Sequence, residues 1–420
     1  MTSAPSLTDL LARVPQLNEH TVAPPALAPL PEMRELEASL RAIVAASPQD
    51  ARAIAALGNV MARRALYIDA REAYLRATAI DETFAQAHLA VAELSSLLRD
   101  EITAQQYLSR ALSLSRRYDD PLPIDGRHEL LLVLRDATYA QNAPVEVLVD
   151  RRRIAIHKLY VGDRPREAVP AYDAVLCAFG PYAGDERVAA LVTDVLGDVV
   201  PLNRPASIRN CARERLAPRL AGLDTLDCVE SRRIARAALA DIALPALVRP
   251  QYSHAGFGLA LIESHEQLAA HAARFPAEAY DVSRWVEYRS PDGYYRKYRA
   301  VIVGGRAYPY HLAISPRWMV HYLSSPMRVN DWMREEEARF LHAPHLAVPA
   351  WERVMTELAR ALDLDYVGVD FTVRENGNVL VFEADPAMLI HDEDEDDVFA
   401  YKRPHVAAIR RALEQLAGLR

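Results

Sequence analysis

The stretch LDYVGVDFTVRENGNVLVFEADP, residues 364–386, decides the fold. Its two apolar runs flank the polar segment Glu375–Asn378, a pattern that predicts a β-hairpin. Asp370 lies in the first run, whereas Glu383 and Asp385 lie two positions apart in the second, so the latter two share a face. Three carboxylates among β-branched and aromatic residues would repel one another and lose hydration. The pattern therefore predicts a site for Mg²⁺ or Mn²⁺, and the alternative is an exposed hairpin whose acids face water.

The region before this hairpin, SRWVEYRSPDGYYRKYRAVIVGGRAYPYHLAIS at residues 283–315, predicts more strands. We expect an edge strand with Glu287, then two long antiparallel strands around the turn Gly304-Gly305. The two-residue period of a strand places Lys297 and Arg299 on one face. Buried cations need an anionic partner, so this face is either a site for an anion or carboxylate or simply solvated.

Further upstream, residues 244–263 read LPALVRPQYSHAGFGLALIE. A strand ends in the cation Arg249, a loop of small residues follows, and a second strand closes a predicted hairpin. Backbone amides of such a loop can surround phosphate oxygens, and glycine permits the close approach. The alternative is an ordinary glycine-bearing turn. The loop residues of interest are Ser253, His254, Gly256 and Gly258.

The order of these blocks resembles the ATP-grasp superfamily, in particular its glutathione synthetase-like and ribosomal-protein glutamate ligase-like branches. The resemblance covers about Asp198–Arg420 and implies an ATP-grasp domain at 206–420, with antiparallel sheets, after a small α/β pre-ATP-grasp domain at 127–205. It implies that Asp370, Glu383 and Asp385 hold Mg²⁺ and that the loop His254–Gly258 covers the phosphates of ATP. It further implies nucleotide-phosphate binding by Arg249, adenine or ribose binding by Val286, Glu287 and Tyr288, and contact with the transferred phosphoryl group by Arg299.

This sequence departs from the family pattern at three positions. Arg249 replaces a lysine, Asp385 replaces an asparagine, and Lys297 stands where many relatives have an acid. An arginine keeps the charge of a lysine but presents a planar fork. The departures leave open a protein that binds nucleotide without turnover.

The activity implied by the resemblance is an ATP-dependent carboxylate–amine ligase. It would form an amide through an acyl phosphate and release ADP and phosphate, with Lys297, Arg299 and Arg317 as catalytic residues. The substrates would be small-molecule or peptide carboxylates and amines. The alternatives are an adaptor with an inactive nucleotide-binding domain and a kinase that only phosphorylates its substrate.

The segment YPYHLAISPRWMVHY, residues 308–322, is rich in aromatic residues and histidine. We expect His311, Arg317 and His321 to line the substrate pocket, with Arg317 suited to a carboxylate; otherwise these residues are simply packed. His391, a further candidate substrate residue, precedes six consecutive acidic residues, 392–397. This run forms a solvated loop, attracts a cationic amine substrate or acts as a mobile lid.

The N-terminal third is predicted to be a helical module. After a proline-rich and flexible segment at 1–31, the Ala- and Leu-rich residues 32–117 repeat with a shift of 34, which turns Leu57-Gly58 into Val91-Ala92 and Tyr74 into Leu108. This resembles the tetratricopeptide repeat, which implies a peptide or protein partner or self-association; a generic helical bundle is the alternative. Residues 118–126 read as a linker.

Beyond the linker, the pattern predicts alternating strands and helices of a small α/β domain with a largely parallel sheet. The strand-like runs are Val145–Val149, Ile154–Val161, Ala174–Phe179 and Asp198–Leu202, followed by an Arg-rich helix at Ile208–Leu223 that Pro218 kinks or ends. The whole chain is therefore a multidomain protein that mixes α/β and α+β parts.

Composition excludes several classes of protein. The 420 residues are 51% hydrophobic and 25% charged with a net charge of −8, which indicates a globular chain and disfavours a nucleic-acid partner. No apolar run approaches the roughly 20 residues that span a membrane, and the first residues lack the pattern of a secretory signal. Three widely spaced cysteines exclude a disulfide framework, so we expect a cytoplasmic location.

Overall fold

A computed structural model of the chain describes residues 7, 32–64, 66–120, 128–138, 141–150, 153–162, 168–181, 185–251, 253, 256–321, 324–390 and 397–419. The predicted flexible segment 1–31 lies, apart from Leu7, outside the described residues. None of the helices in these ranges combines the length and the apolar character that a membrane-spanning helix requires.

Five helices come first: α1 (Glu32–Ala46), α2 (Ala51–Arg63), α3 (Tyr67–Ile80), α4 (Ala85–Leu97) and α5 (Glu101–Leu114). Each packs on the next along the chain. The 34-residue shift maps buried positions onto buried positions, since Tyr74 and Leu108 are 3% and 2% exposed. Gly58 packs closely on Tyr74, since a Cβ at position 58 would lie 3.1 Å from the Tyr74 ring. The 34-residue repeat and its assignment to the tetratricopeptide family stay predictions.

A four-stranded sheet follows, formed by β1 (Arg117–Asp120), β2 (His128–Arg135), β3 (Ile154–Val161) and β4 (Ala174–Cys177). Its order is β1-β3-β2-β4, in which β2, β3 and β4 are parallel and β1 runs antiparallel to β3. The largely parallel sheet agrees with the sequence prediction. The predicted linker does not, because its first three residues, 118–120, belong to β1.

Two of the predicted strands in this region are wrong. Residues Val145–Leu148 form a 3₁₀ helix with all four side chains buried, and a short apolar run of this kind cannot be assigned to strand or helix by periodicity. Residues 198–202 form only an isolated bridge from Leu202 to Leu176. Pro201 has no amide hydrogen to donate, so a ladder cannot continue through it.

The rest of the chain contains two antiparallel or mixed sheets and their helices. One sheet has the order β6-β9-β7-β8, with β6 (Ser231–Ala235), β7 (Ala246–Pro250), β8 (Ala260–Ile262) and β9 (Ala279–Arg284). The other has the order β11-β10-β12-β13-β5, with β5 (Leu226–Cys228), β10 (Tyr295–Val303), β11 (Arg306–Ser315), β12 (Tyr366–Val373) and β13 (Val379–Asp385). The α-helices are α6 (Asp185–Leu196), α7 (Pro205–Ile208), α8 (Arg213–Leu220), α9 (His265–Arg274), α10 (Asp331–His342), α11 (Trp351–Leu362) and α12 (Arg403–Leu416).

The three hairpins predicted from sequence are present. β7 pairs with β8, β10 pairs with β11 around Gly304-Gly305, and β12 pairs with β13. Pro218 lies inside α8, which ends two residues later at Leu220. The predicted edge strand with Glu287 is wrong, because β9 ends at Arg284 and Glu287 follows it in irregular backbone.

The five-stranded sheet separates apolar from charged side chains. Tyr298 and Phe371 stack with ring centroids 5.5 Å apart, and Tyr298 also packs on Phe340 of α10. Their chain neighbours Lys297 and Asp370 point to the opposite face, as the two-residue period requires. That charged face is directed at the four-stranded sheet around β7 and β9.

Candidate functional site

A cavity of about 420 Å³ lies between these two sheets. This volume is within the range of small-molecule sites. Its lining contains most of the residues that the sequence singles out: Arg249, Gly256, Val286, Tyr288, Lys297, Arg299, His321, Asp370, Glu383 and Asp385. The structure therefore brings together side chains from three separate hairpins.

Asp370 is neutralised by the two cations of strand β10. Lys297 Nζ lies 2.8 Å from Asp370 Oδ2, and Arg299 donates from Nε to Oδ1 at 2.5 Å and from Nη2 to Oδ2 at 3.0 Å. Burial alone would raise the pKa of Asp370, but the charges of Arg299 and Lys297 outweigh burial and hold it well below its usual range. Lys297, whose role the sequence leaves open, thus shares a carboxylate with Arg299.

Glu383 and Asp385 lie beside this ion-paired group on β13. Burial and the charge of Glu383 raise the pKa of Asp385 to about 7. Asp385 Oδ1 accepts a hydrogen bond of 2.8 Å from the backbone amide of Ala387. Two neighbouring carboxylates, one of which hinders the ionisation of the other, fit a hard cation such as Mg²⁺ in their donor chemistry.

The three predicted ligands do not converge on one point. Within the described ranges, no three His, Cys, Asp or Glu side chains lie close enough together to hold a metal ion. The physical reason is that Asp370 turns to Lys297 and Arg299. Its assignment, and that of Glu383 and Asp385, as magnesium ligands stays a prediction.

Arg249 is a half-buried cation at the start of the glycine loop. It donates from Nε to Ser253 Oγ at 2.9 Å and from Nη2 to the Ser253 carbonyl oxygen. Burial and the charge of Arg213 lower the pKa of Arg249 to about 10. A guanidinium held by neutral acceptors next to another cation is a suitable site for an anion.

The glycine loop is shaped by its two described glycines. Gly256 and Gly258 have φ of +75° and +62°, in the left-handed region that favours glycine. A Cβ on Gly256 would lie 2.3 Å from His321 Nε2, and one on Gly258 would lie 2.6 Å from Pro250 Cδ. Neither position has room for a side chain. His254, predicted as a phosphate-loop residue, lies outside the described residues.

One side of the cavity is apolar and aromatic. Trp285 and Trp318 meet edge to face with centroids 5.3 Å apart, and Tyr288 packs on Phe382 at 4.9 Å. The Tyr288 hydroxyl donates to the Trp318 carbonyl oxygen. Val286 and Tyr288 line the cavity as predicted, but Glu287 does not. Instead the Glu287 carboxylate accepts hydrogen bonds from the amides of the two residues that follow it.

The predicted substrate residues are placed differently from one another. His321 lines the cavity, and burial lowers its pKa. His311 is buried opposite Arg299 in the β10–β11 register and does not line the cavity. Arg317 is exposed and outside the cavity lining. His391 and residues 392–396 lie outside the described residues.

The sequence reading missed two charged residues of the site, Arg213 and Asp281. Arg213 Nη2 donates to Glu383 Oε1 at 2.7 Å, and Arg213 Nη1 lies 3.3 Å from Asp281 Oδ2. Both residues line the cavity. Arg213 lies in the Arg-rich stretch 208–223. The sequence of this stretch gives no sign that Arg213 differs from its exposed neighbour Arg215.

Comparison with known proteins finds similarity in structure only. The chain matches no protein-family model and no curated protein. Among solved structures, it resembles a RimK-domain ATP-grasp protein from Sphaerobacter thermophilus, with 18% identity, a TM-score of 0.40, and coverage of 69% of this chain and 99% of that one.

Two further solved structures resemble this chain over a similar share of its length. The D-Ala:D-Ser ligase VanG from Enterococcus faecalis has 11% identity and a TM-score of 0.44, over 69% of this chain and 99% of that one. The D-alanine–D-alanine ligase from Bacillus anthracis, solved in complex with ATP, has 12% identity and a TM-score of 0.38, over 68% and 98%.

Proposed function

We propose that this protein is an ATP-dependent carboxylate–amine ligase of the ATP-grasp type. The observation that carries the proposal is one cavity with two unlike halves. One half is aromatic, with Trp285, Tyr288 and Phe382, and the other gathers four cations and four carboxylates from both sheets and α8. The charged residues of that half are Arg213, Arg249, Lys297, Arg299, Asp281, Asp370, Glu383 and Asp385.

ATP has the same division into an aromatic base and a charged tail. The base would occupy the half around Tyr288, and the phosphates would extend toward Arg249 and the amides of the glycine loop. Glu383 and Asp385 would hold Mg²⁺, which neutralises phosphate oxygens when bound. Lys297 and Arg299 would stabilise the charge that develops on the phosphoryl group as it moves.

The reaction that this arrangement supports has two steps. An oxygen of the substrate carboxylate attacks the γ-phosphorus of ATP, the bond to the bridging oxygen breaks, and ADP leaves. The nitrogen of an amine then attacks the carbonyl carbon of the acyl phosphate, phosphate leaves, and the amine loses a proton. Because an acyl phosphate hydrolyses in water, the loop that contains Gly256 has to keep water out while the intermediate exists.

The test is ADP release in the presence of ATP, Mg²⁺ and pooled amino acids and peptides. We expect the wild type to release ADP over many turnovers only when both a carboxylate and an amine are supplied, because a carboxylate alone allows the first step but leaves the acyl phosphate in the site. Glu383→Ala is expected to lose nearly all release while its circular dichroism spectrum stays unchanged. Glu375→Ala, in the exposed turn of the same hairpin, is the matched control and is expected to behave as wild type. Equal release by wild type and Glu383→Ala would contradict the proposal.

The two alternative functions give different results in the same assay. A kinase would accumulate a phosphorylated product without any amine. An adaptor with an inactive domain would bind nucleotide in calorimetry but release no ADP with any substrate pool. The helical block α1–α5 would then be its functional part, holding a peptide, a protein or a second copy of the chain.

A further inference from the structure

Arg213 belongs to neither of the sheets that face the cavity, yet it contacts both. It is the first residue of α8. Its guanidinium reaches Glu383 on β13 at 2.7 Å and Asp281 on β9 at 3.3 Å. It also donates to the carbonyl oxygen of Ser253, at the start of the glycine loop, at 3.2 Å. One side chain therefore connects the five-stranded sheet, the four-stranded sheet that contains β9, and the glycine loop.

The contact with Glu383 places a positive charge where the proposed divalent cation would bind. Burial disfavours a charged Arg213, but Glu383 and Asp281 outweigh burial and raise its pKa. A guanidinium 2.7 Å from Glu383 Oε1 and a divalent cation on the same carboxylate repel each other, the more so in a largely buried site. The two cations therefore compete for Glu383.

A phosphate group would give Arg213 another partner. Arg213 and Arg249 both donate to the Ser253 carbonyl oxygen, so two guanidinium groups converge on one neutral acceptor. A phosphate oxygen carries more negative charge than a carbonyl oxygen, and the planar fork of arginine matches phosphate geometry. Nucleotide phosphates that enter beside Arg249 would thus attract Arg213 away from Glu383.

This inference rests on the proposed function. We propose that Arg213 is a positioning residue that exchanges partners when nucleotide binds. Without nucleotide it holds Glu383; with nucleotide it turns to the phosphates, which frees Glu383 for the divalent cation.

The exchange predicts opposite effects of one substitution on two ligands. In Arg213→Ala we expect a non-hydrolysable ATP analogue with Mg²⁺ to bind about tenfold or more weakly, as for loss of a charged hydrogen bond. We expect Mn²⁺ alone, measured by electron paramagnetic resonance, to bind several-fold more tightly, because its competitor is gone. A merely structural role would weaken both. Arg213→Lys, which keeps the charge, is expected to restore part of the nucleotide affinity and to keep Mn²⁺ binding as weak as in wild type.

The matched control is Arg233→Ala. Arg233 lies 3.6 Å from the other oxygen of Asp281 and pairs with Glu214, but it does not line the cavity. We expect both affinities to be unchanged in this variant. Arg213→Gln, which can still donate hydrogen bonds without a charge, serves the same test if Arg213→Ala does not fold.

The outcomes separate this inference from the proposed function. A wild-type protein that binds no ATP analogue would overturn both. A wild type that binds the analogue, together with an Arg213→Ala variant that binds it equally well or binds Mn²⁺ no more tightly, would overturn the partner exchange alone.

Discussion

Two clusters of charged side chains among the described residues differ in the space that they enclose. At the joint between the helices and the first sheet, Lys158 Nζ lies 2.7 Å from Glu146 Oε1 and 3.4 Å from Glu93 Oε1. This joint cluster encloses a space of only about 20 Å³. The cavity cluster, formed by Arg213, Arg249, Lys297, Arg299, Asp281, Asp370, Glu383 and Asp385, encloses about 420 Å³.

The difference indicates that a cluster of charged side chains marks a functional site when it adjoins a space in which a further ion can bind. In the joint cluster, burial disfavours the charged lysine, but Glu146 and Glu93 outweigh burial and raise the pKa of Lys158. In the cavity cluster, burial and a neighbouring like charge lower the pKa of Arg249 and raise that of Asp385. Burial and the charge of Glu146 also raise the pKa of Glu93 in the joint cluster, but that cluster has no room for a ligand. The cavity cluster has the volume for an added anion beside Arg249 and an added cation beside Asp385.

The largest expected effect is on turnover, in the cavity cluster. Lys297→Met is expected to lower ADP release roughly hundredfold, because a cation that stabilises developing phosphoryl charge is lost. The fold should be retained, since Asp370 keeps Arg299. The next residue along the strand provides the control: Arg296 points to the opposite face and pairs with Glu336 and Asp292. Turnover that falls equally in Arg296→Met would show that the loss comes from strand disruption.

The second prediction concerns the joint cluster. Glu146→Gln leaves Lys158 buried with only the more distant Glu93, and breaking such a pair lowers the free energy of unfolding by about 3 kcal/mol. The midpoint of urea unfolding, followed by circular dichroism, measures this loss. Affinity for the ATP analogue is expected to stay unchanged. A variant with normal stability and weakened nucleotide binding would abolish the distinction between the two clusters.

A smaller effect is expected in the glycine loop at the edge of the cavity. Gly256→Ala places a Cβ against His321 and forces an unfavourable φ, a strain of about 1–2 kcal/mol. Calorimetry with the ATP analogue should show about tenfold weaker binding, because the loop is displaced from the phosphates. The double variant Gly256→Ala/His321→Ala removes the clash but not the backbone strain, so it should recover only part of the affinity. Full recovery would mean that the conformation of Gly256 is unimportant.

The smallest predicted effect is a pH dependence outside the cavity. His157 on β3 lies between two carboxylates, with Nδ1 2.7 Å from Asp119 Oδ1 and Nε2 2.7 Å from Glu129 Oε2. Burial would lower the pKa of His157, but these hydrogen bonds and charges outweigh burial and raise it. Its stabilisation is therefore fully present below about pH 6.5, the unfolded value, and is lost as the pH rises through the folded pKa.

The measurement compares wild type with His157→Gln in urea unfolding at pH 5.5 and pH 9. The difference in stability should be larger at the lower pH by on the order of 1 kcal/mol, about the net contribution of one hydrogen bond. His345→Gln, at an exposed position, is the control. A difference that is constant or grows with pH would contradict a protonated His157 in the folded protein.

Local sequence patterns were sufficient to predict the hairpins that surround the cavity cluster. The turns at Gly304-Gly305 and Glu375–Asn378 each lie between two strand-like runs. Which strands pair, and which side chains share a face, therefore follows from residues close in sequence. The partner of Lys297 could not be derived in this way, because Asp370 is 73 residues away. Arg213 is 170 residues from Glu383, and their contact depends on how α8 packs between two sheets. The failed strand at 145–149 has the same origin, since burial there comes from distant elements.

Strand β1 (Arg117–Asp120) directly follows α5 and pairs with β3. The helices are therefore connected to the sheet by main-chain hydrogen bonds as well as by the contact of Lys158 with Glu93. A shortened protein that begins after residue 120 would lack β1 and the helices. The edge of β3 would then be unpaired, and Lys158 would be exposed to water. Such a bare margin readily captures strands from other molecules. The part of the chain that surrounds the cavity therefore cannot be separated from the helices by a cut within the predicted linker, and a protein shortened in this way should aggregate.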